Sequence, residues 1–495
     1  MAELEVLSQA NHVKSRAKIR VMQFGEGNFL RAFMDWMIQK LNQTGKWSGH
    51  VVVVQPLKEG RIADLAKQDG LYTVILQGLN EKKEAVKTHE VIDVLDDFVN
   101  PYTDFERFLA YGESADLQVI ISNTTEAGIA FDPADATSNM NECPASYPGK
   151  LYALLKRRYE KLGMKGEIAI MPCELIDDNG DVLKSVLLKI AEERNEEAGF
   201  VRFLSSACHF TSSLVDRIVP GFPRDEFPDL CQQYGYIDNN MVKGEYFNLL
   251  VYRQEKFCQQ VFPLDQIGEP VHCLYVPDVH PYKQRKVRIL NGSHSSLVPV
   301  AYLCGFDEVR QALLDPEIGK FMKAEISEEI VPTVHVKDVE KFASDVLDRF
   351  MNPYVHHQLM SIALNSIPKF KERDLPTILD DEKANGCEPA HLSYALASLL
   401  KFYDGKRIKD GKEEIIKLQD NPDFLAFMRQ AWDAYYQEKD VGALVRKSLS
   451  NTAFWGADLC AEHPGLTAQV SEDLSFLLAH PNPYEALKDF NAHEQ

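Results

Sequence analysis

The chain is predicted to be an α/β protein with a mostly parallel sheet in its N-terminal part and a mainly α-helical C-terminal part. Three observations carry this. Short β-branched runs alternate with amphipathic stretches through the first half. The first run ends in a glycine turn that opens a helical pattern. From about Arg285 onward long helical patterns replace strand runs. Alternation of this kind argues for a parallel sheet covered on both faces, and the change of pattern divides the chain into 1–284 and 285–495.

Lys18-Ile-Arg-Val-Met-Gln-Phe24 reads as the first strand. A helix follows over 28–41, with Phe29, Phe33, Trp36, Met37 and Leu41 at helical spacing. Val51–Val54 is a buried-strand run, and Tyr72–Leu76, Leu117–Ile121 and Glu167–Met171 are three more. A helix is expected over Lys150–Leu162. In the second half helical patterns cover Val339–Met351, His356–Asn365, Pro389–Tyr403 and Pro422–Tyr436, with a polar, Gly-containing connection at Asp404–Gly411. A crevice between two such domains is a common place for a ligand.

The 495 residues are 45% hydrophobic and 26% charged, which suits a globular core rather than a disordered chain. With 54 Lys and Arg against 74 Asp and Glu, the formal charge is −20. This weighs against nonspecific nucleic-acid binding and against an anionic membrane surface, both of which need a basic field. An anionic substrate would then need a local basic pocket. No run of 18 apolar residues occurs, and the first ten residues lack a secretory pattern. Nine scattered cysteines without a CxxC pair suggest reduced thiols in a cytoplasmic protein, with neither a disulfide framework nor a zinc site.

Four motifs carry chemistry. Phe24-Gly25-Glu26-Gly27-Asn28-Phe29-Leu30 joins the first strand to its helix. Such a turn lets the backbone approach a pyrophosphate at a helix N-terminus, as in a Rossmann-like dinucleotide site. Leu30 stands where the usual fingerprint has Gly or Ala. The second strand normally ends in an acid that binds the adenosine ribose. Here Val54 is followed by Gln55-Pro56-Leu57-Lys58-Glu59, and Lys58 and Arg61 could meet a 2′-phosphate, so NAD and NADP both stay open. Ser122-Asn123-Thr124-Thr125-Glu126-Ala127-Gly128 follows a strand end, where small polar side chains can line a nicotinamide pocket.

The fourth motif is Lys286-Val-Arg-Ile-Leu-Asn291-Gly-Ser-His294. On an α-helix, taking Lys286 as zero, His294 falls at about 80° and Asn291 at about 140°, so all three share one side. An amine whose pKa is brought down can act as general base, and an amide can donate to a developing alkoxide.

These pieces, in this order, resemble the polyol-specific long-chain dehydrogenases, the mannitol dehydrogenase family, over nearly the whole chain. The family's Gly-x-Gly-x-Phe-x-Arg-Ala segment is matched by Gly25, Gly27, Phe29, Arg31 and Ala32. Its Lys-x-x-x-x-Asn-x-x-His signature is matched by Lys286, Asn291 and His294, and its Val-Asp-Arg-Ile segment by Val215–Ile218. The strings at 23–33, 122–129 and 286–292 are most similar to members that act on hexuronates.

The resemblance implies metal-independent, NADH-dependent reduction of a keto sugar acid. Lys286 would move the hydroxyl proton, Asn291 would donate to the charged oxygen, and His294 would position substrate or lysine. It also implies cofactor contacts from Phe24, Gly25, Gly27, Asn28, Phe29, Asn123, Thr124, Thr125 and Glu126, with Asp216 bordering the substrate. One departure stands out. Where mannitol dehydrogenases have Cys-Asp-Asn-Ile, this chain has Cys173-Glu174-Leu175-Ile176, so the second oxyanion amide is missing at Leu175. A substrate carboxylate needs a cation, for which Lys369 and Arg373 are the candidates, with His356 and His357 weaker. Fructuronate reduction, polyol oxidation and an NAD-retaining sugar-acid epimerase remain as alternatives. A sensor with a degenerate site is disfavoured by the intact Lys286, Asn291 and His294 set. The oligomeric state is not legible in the sequence.

Overall fold

The computed structural model describes residues 4–80, 82–124, 127–137 and 139–493. The chain divides into two compact units, 1–279 and 280–495.

The first unit is built on a six-stranded sheet: β1 (Ile19–Phe24), β2 (His50–Val54), β3 (Leu95–Val99), β4 (Val119–Ser122), β5 (Ile168–Pro172) and β6 (Cys208–Phe210). All five pairings are parallel, and the spatial order is 3-2-1-4-5-6, the Rossmann order. Alternation along the strands separates two cores. Val21, Val51, Val53, Val119 and Ile121 face one side, packed with Leu30, Phe33, Trp36 and Met37 of helix α1 (28–43). Met22, Phe24, Val52, Val54 and Ile120 face the other, packed with Tyr147, Leu151 and Leu155 of a later helix. Both faces are therefore buried, which explains the unbroken Val51–Val54 run. Helix α2 (Ile62–Lys67) follows β2, and α3 (Tyr147–Leu162) lies between β4 and β5, three residues longer at its start than the periodicity indicates, with Ser146 capping it.

The Tyr72–Leu79 strand is not part of this sheet. It pairs with Ala85–Ile92 and Val242–Glu245 in a separate three-stranded sheet. A third sheet joins Ser213–Asp216, Leu249–Arg253 and Cys273–Val276.

The second unit is mostly helical. Its long helix α4 (280–303) consists of an α-helical turn, a π-helical segment at Lys286–Gly292, and an α-helix at Ser293–Leu303. Helices α5 (Val339–Phe350), α6 (Ser366–Arg373) and α7 (Ala390–Phe402) pack against it, and α8 (Pro464–Ala479) packs on α7. Two expectations need correcting. The polar stretch at 404–411 is not a plain connection: Lys406–Lys409 pairs with Lys412–Ile415 in a hairpin. Of the pattern at 356–365 only Leu359–Ile362 is helical. Among the described residues no helix is long and apolar enough to cross a membrane.

Candidate functional site

In the doubly wound sheet the strand order reverses between β1 and β4, and the crevice outside their C-terminal ends is where such folds bind ligands. A cavity of about 690 Å³ lies there, lined by Gly25, Glu26, Gly27, Asn28, Arg31, Asn123 and Thr124, among others. Gly25 has φ +120°, outside the range comfortable for a side chain, and a Cβ would come within 3.3 Å of the Asn123 carbonyl. Its N–H donates to the Val54 carbonyl at 3.1 Å, pinning the turn to β2. A Cβ on Gly27 would meet no atom within 4 Å among the described residues beyond its chain neighbours. Gly27 is also the N-cap of α1, with no side chain capping the helix. Exposed backbone N–H groups and free space at a helix start suit a phosphate anion.

Arg31 strengthens this. Its buried guanidinium donates to the Glu26 carbonyl at 3.2 Å, to Asn28 Oδ1 at 2.6 Å and to the Asn240 carbonyl. The cation thus ties the glycine turn from beneath and lines the cavity. Burial lowers its pKa from the usual arginine value. The residues present therefore fit a dinucleotide.

Of the expected cofactor residues, Gly25, Gly27, Asn28, Asn123 and Thr124 line the cavity. Phe24 and Phe29 are not among the lining residues. Phe24 is fully buried against Phe108 and Tyr147, and Phe29 stacks on Phe33. Thr125 and Glu126 lie outside the described residues. Of the two basic residues after β2, Arg61 lines the cavity and Lys58 does not.

Glu174 is held between strand ends. One oxygen accepts from Ser122 Oγ at 3.0 Å; the other accepts from the Thr124 N–H at 3.0 Å and hydroxyl at 2.9 Å. Burial raises its pKa. Thr124 is thereby fixed in the cavity wall. Leu175, at the position of the missing amide, is 60% exposed. Asp216 ends its strand, buried, in register with Leu249.

In the second unit Lys286, Asn291 and His294 all lie on α4, each half-buried. The angles expected of an α-helix do not hold between the first two, because Lys286–Gly292 is π-helical. A π segment closes i→i+5 bonds, so Asn291 comes one wide turn beyond Lys286, closer to its line than 140°. His294 stacks on Phe350 at 4.1 Å between ring centres and meets the edge of His357 at 5.1 Å. Burial, then the positive potential of His357, Arg349, Arg373 and Lys369, holds its imidazole well below its usual pKa. At neutral pH it is uncharged, with one N–H donor and one acceptor.

The two candidate cations gather at this helix. Arg373 Nη1 donates to Ser295 Oγ at 3.0 Å and to the Asn291 carbonyl at 3.4 Å. Lys369 donates to the Ile362 carbonyl at 2.8 Å, and burial followed by Arg373 lowers its pKa. His357 is drawn in beside His294, whereas His356 is exposed near Glu308. The helical unit therefore concentrates positive charge around His294 although the whole chain carries −20.

Residues 19–266 match the mannitol dehydrogenase Rossmann domain, and residues 278–478 match the mannitol dehydrogenase C-terminal domain. The chain belongs to the mannitol dehydrogenase family. It is 43% identical over 467 residues to the altronate oxidoreductase of Escherichia coli O6:K15:H31 (strain 536 / UPEC), covering 93% of this chain and 94% of that protein. It is 42% identical over the same length to the altronate oxidoreductase of Shigella flexneri, with the same coverage. Two solved structures share the fold. A substrate-free D-sorbitol dehydrogenase matches with TM-score 0.80 at 18% identity, over 98% of this chain and 99% of that one. The Pseudomonas fluorescens mannitol 2-dehydrogenase, in ternary complex with NAD and D-mannitol, matches with TM-score 0.66 at 21% identity, over 99% of this chain and 96% of that one.

This member of the family is accordingly an oxidoreductase acting on CH–OH groups of a polyol or sugar acid with a nicotinamide cofactor. Three residues at the candidate cavity or bonded to its wall are not among the expected site residues: Glu26, Arg31 and Glu174. For Arg31 the signal was there, a basic residue one turn into the helix after the glycines. For Glu174 it was a carboxylate just past a strand end.

Proposed function

We propose that the protein reduces D-tagaturonate to D-altronate with NADH, reversibly, as a cytoplasmic enzyme of hexuronate breakdown that needs no metal. The observation that carries this reading is the cationic cluster beside His294. A plain polyol gives Arg373 and Lys369 nothing to neutralise, whereas a hexuronate carries a carboxylate that a guanidinium can pair. The altronate oxidoreductases at 42–43% identity support the same substrate class.

The nicotinamide, when bound, accepts or supplies the hydride. The protein's own groups handle the rest. In reduction Lys286 gives its proton to the substrate oxygen; in oxidation it takes the hydroxyl proton. Asn291 donates to that oxygen as charge develops on it, in the manner of an oxyanion hole. Neutral His294 holds a substrate hydroxyl or the lysine amine by one hydrogen bond. Arg373 and Lys369 hold the carboxylate, and Asp216 borders the sugar. With Leu175 in place of an amide, Asn291 carries more of the charge stabilisation here than in a site with two amides.

The test is an assay of tagaturonate, fructuronate, fructose and mannitol with the matching reduced or oxidised nicotinamide. Tagaturonate is expected to have the highest kcat/KM. A higher value for fructose or mannitol would overturn the sugar-acid reading. A higher value for fructuronate would move the assignment to its epimer. Turnover without net change in NADH would make the protein an epimerase.

A further inference from the structure

Open Rossmann sheets usually read the adenosine ribose with a carboxylate at the end of β2. This chain has Gln55 there, and its side-chain amide is committed to the carbonyls of Leu57 at 3.0 Å and Lys58 at 3.1 Å. This side chain is neutral and 4% exposed, so no charge stands at the strand end to bind the ribose hydroxyls or to repel a 2′-phosphate. A carboxylate nevertheless reaches the same place from elsewhere. Glu26 belongs to the glycine turn, but its side chain lies over the β2–α2 loop. Its Oε1 accepts the Arg61 N–H at 3.0 Å, and a Cβ on Gly60 would come within 2.5 Å of it. Glu26, Pro56, Leu57 and Arg61 all line the cavity. The basic groups are less well placed for a 2′-phosphate. Arg61 Nε lies 3.6 Å from Asp64 Oδ2, and Lys58 is not among the lining residues.

We infer that Glu26 replaces the strand-end acid: its carboxylate accepts hydrogen bonds from the ribose hydroxyls and repels a 2′-phosphate, making the site selective for NAD(H) over NADP(H). This rests on the nicotinamide cofactor assigned above and adds which residue discriminates between the two forms. The logic is electrostatic. Hydroxyls donate to a carboxylate, while a phosphate dianion beside it is a like charge, and the one basic side chain of the β2–α2 loop that lines the cavity, Arg61, faces Asp64 as well.

The experiment measures equilibrium binding rather than turnover. Dissociation constants for NADH and NADPH are obtained by fluorescence on the wild type and on Glu26→Gln, which keeps an oxygen to accept the Arg61 N–H. Calorimetry with ADP-ribose and 2′-phospho-ADP-ribose isolates the adenosine end in the wild type and needs no variant. The wild type should favour NADH and ADP-ribose by about tenfold or more, the scale of one charge-assisted hydrogen bond. Glu26→Gln should weaken NADH several-fold and bring the NADH-to-NADPH ratio towards one. Wild-type preference for the 2′-phosphorylated ligands, or a ratio in Glu26→Gln within twofold of wild type, would overturn the inference. Binding of no dinucleotide by wild type would remove the cofactor reading as well, which separates the two failures.

Discussion

Arg373 is fastened to the helix that carries Asn291: its guanidinium bonds Ser295 Oγ at 3.0 Å and the Asn291 carbonyl at 3.4 Å. The cation proposed to hold the substrate carboxylate is thus bonded to the backbone of the residue whose side-chain amide is proposed to stabilise the reacting oxygen. Replacing Arg373 by Ala should raise KM for the sugar acid roughly ten- to hundredfold, the worth of a hydrogen bond to a charged group, with a smaller fall in kcat. Steady-state kinetics checks this. An unchanged KM would move the carboxylate contact to another cation.

Lys286→Ala should lower turnover by about 10²–10⁴, the usual contribution of a positioned proton donor. NADH affinity should stay within about twofold, because the lysine serves the substrate proton and not the dinucleotide. Fluorescence titration and single-turnover absorbance separate the two effects. Turnover equal to the parent would refute the role.

Gly292 follows Asn291 in the π segment, and a Cβ there would come within 2.8 Å of Asp374 Oδ1. Asp374 is buried, and neither carboxyl oxygen has a hydrogen-bond partner among the described residues. Gly292→Ala should therefore destabilise the fold by about 1–3 kcal/mol, as overpacking does, measured by urea unfolding. A variant as stable as the parent would mean that the Asp374 side chain yields at little cost.

Asp35, on α1, is fully buried and accepts from the Tyr72 hydroxyl at 2.9 Å, and burial pushes its pKa from 3.8 up to about 7. Between these values the folded form holds a proton that the unfolded form has released. Stability from this group therefore falls as pH rises from about 4 to about 7, by at most ~1.4 kcal/mol per pH unit, and levels off above. Asp35→Asn keeps an acceptor for Tyr72 and removes the titration. Urea midpoints at pH 5 and pH 8 should differ less in the variant than in the parent. An equal difference would place the pH dependence elsewhere.

Much of the fold was legible because its signals are local. The Val51–Val54 run declares a strand buried on both faces, and the glycines at 25 and 27 declare the turn before α1. The membership of separate sheets was not legible: Tyr72–Leu79 has the same apolar character as β1 or β2, and only long-range pairing distinguishes it. The hairpin at 406–415 escaped because Lys-Arg-Ile-Lys and Lys-Glu-Glu-Ile show no apolar alternation. In the candidate site, Lys286, Asn291 and His294 are singled out by the family resemblance rather than by their spacing alone, and their relative angles were not legible. The arithmetic assumes 3.6 residues per turn, and local hydrogen bonding at 286–292 departs from it. Glu26 carries no such signal in the sequence: it sits in the glycine turn, and its reach across the β2–α2 loop to the Arg61 N–H depends on the fold.

The π segment also makes the lysine-to-histidine spacing a matter of residue count. A π turn holds one residue more than an α turn for about the same rotation, so the wide segment lengthens the path from Lys286 to His294 without turning the helix beyond it. Deleting a single residue between Lys286 and Gly292 would let the segment close into an ordinary helix, and His294 would keep nearly its old direction. What would change is the local breadth of the backbone that carries Asn291. In this family, an alignment gap of one position inside that segment would therefore mark a member that has lost the wide turn while keeping amine and imidazole on one face.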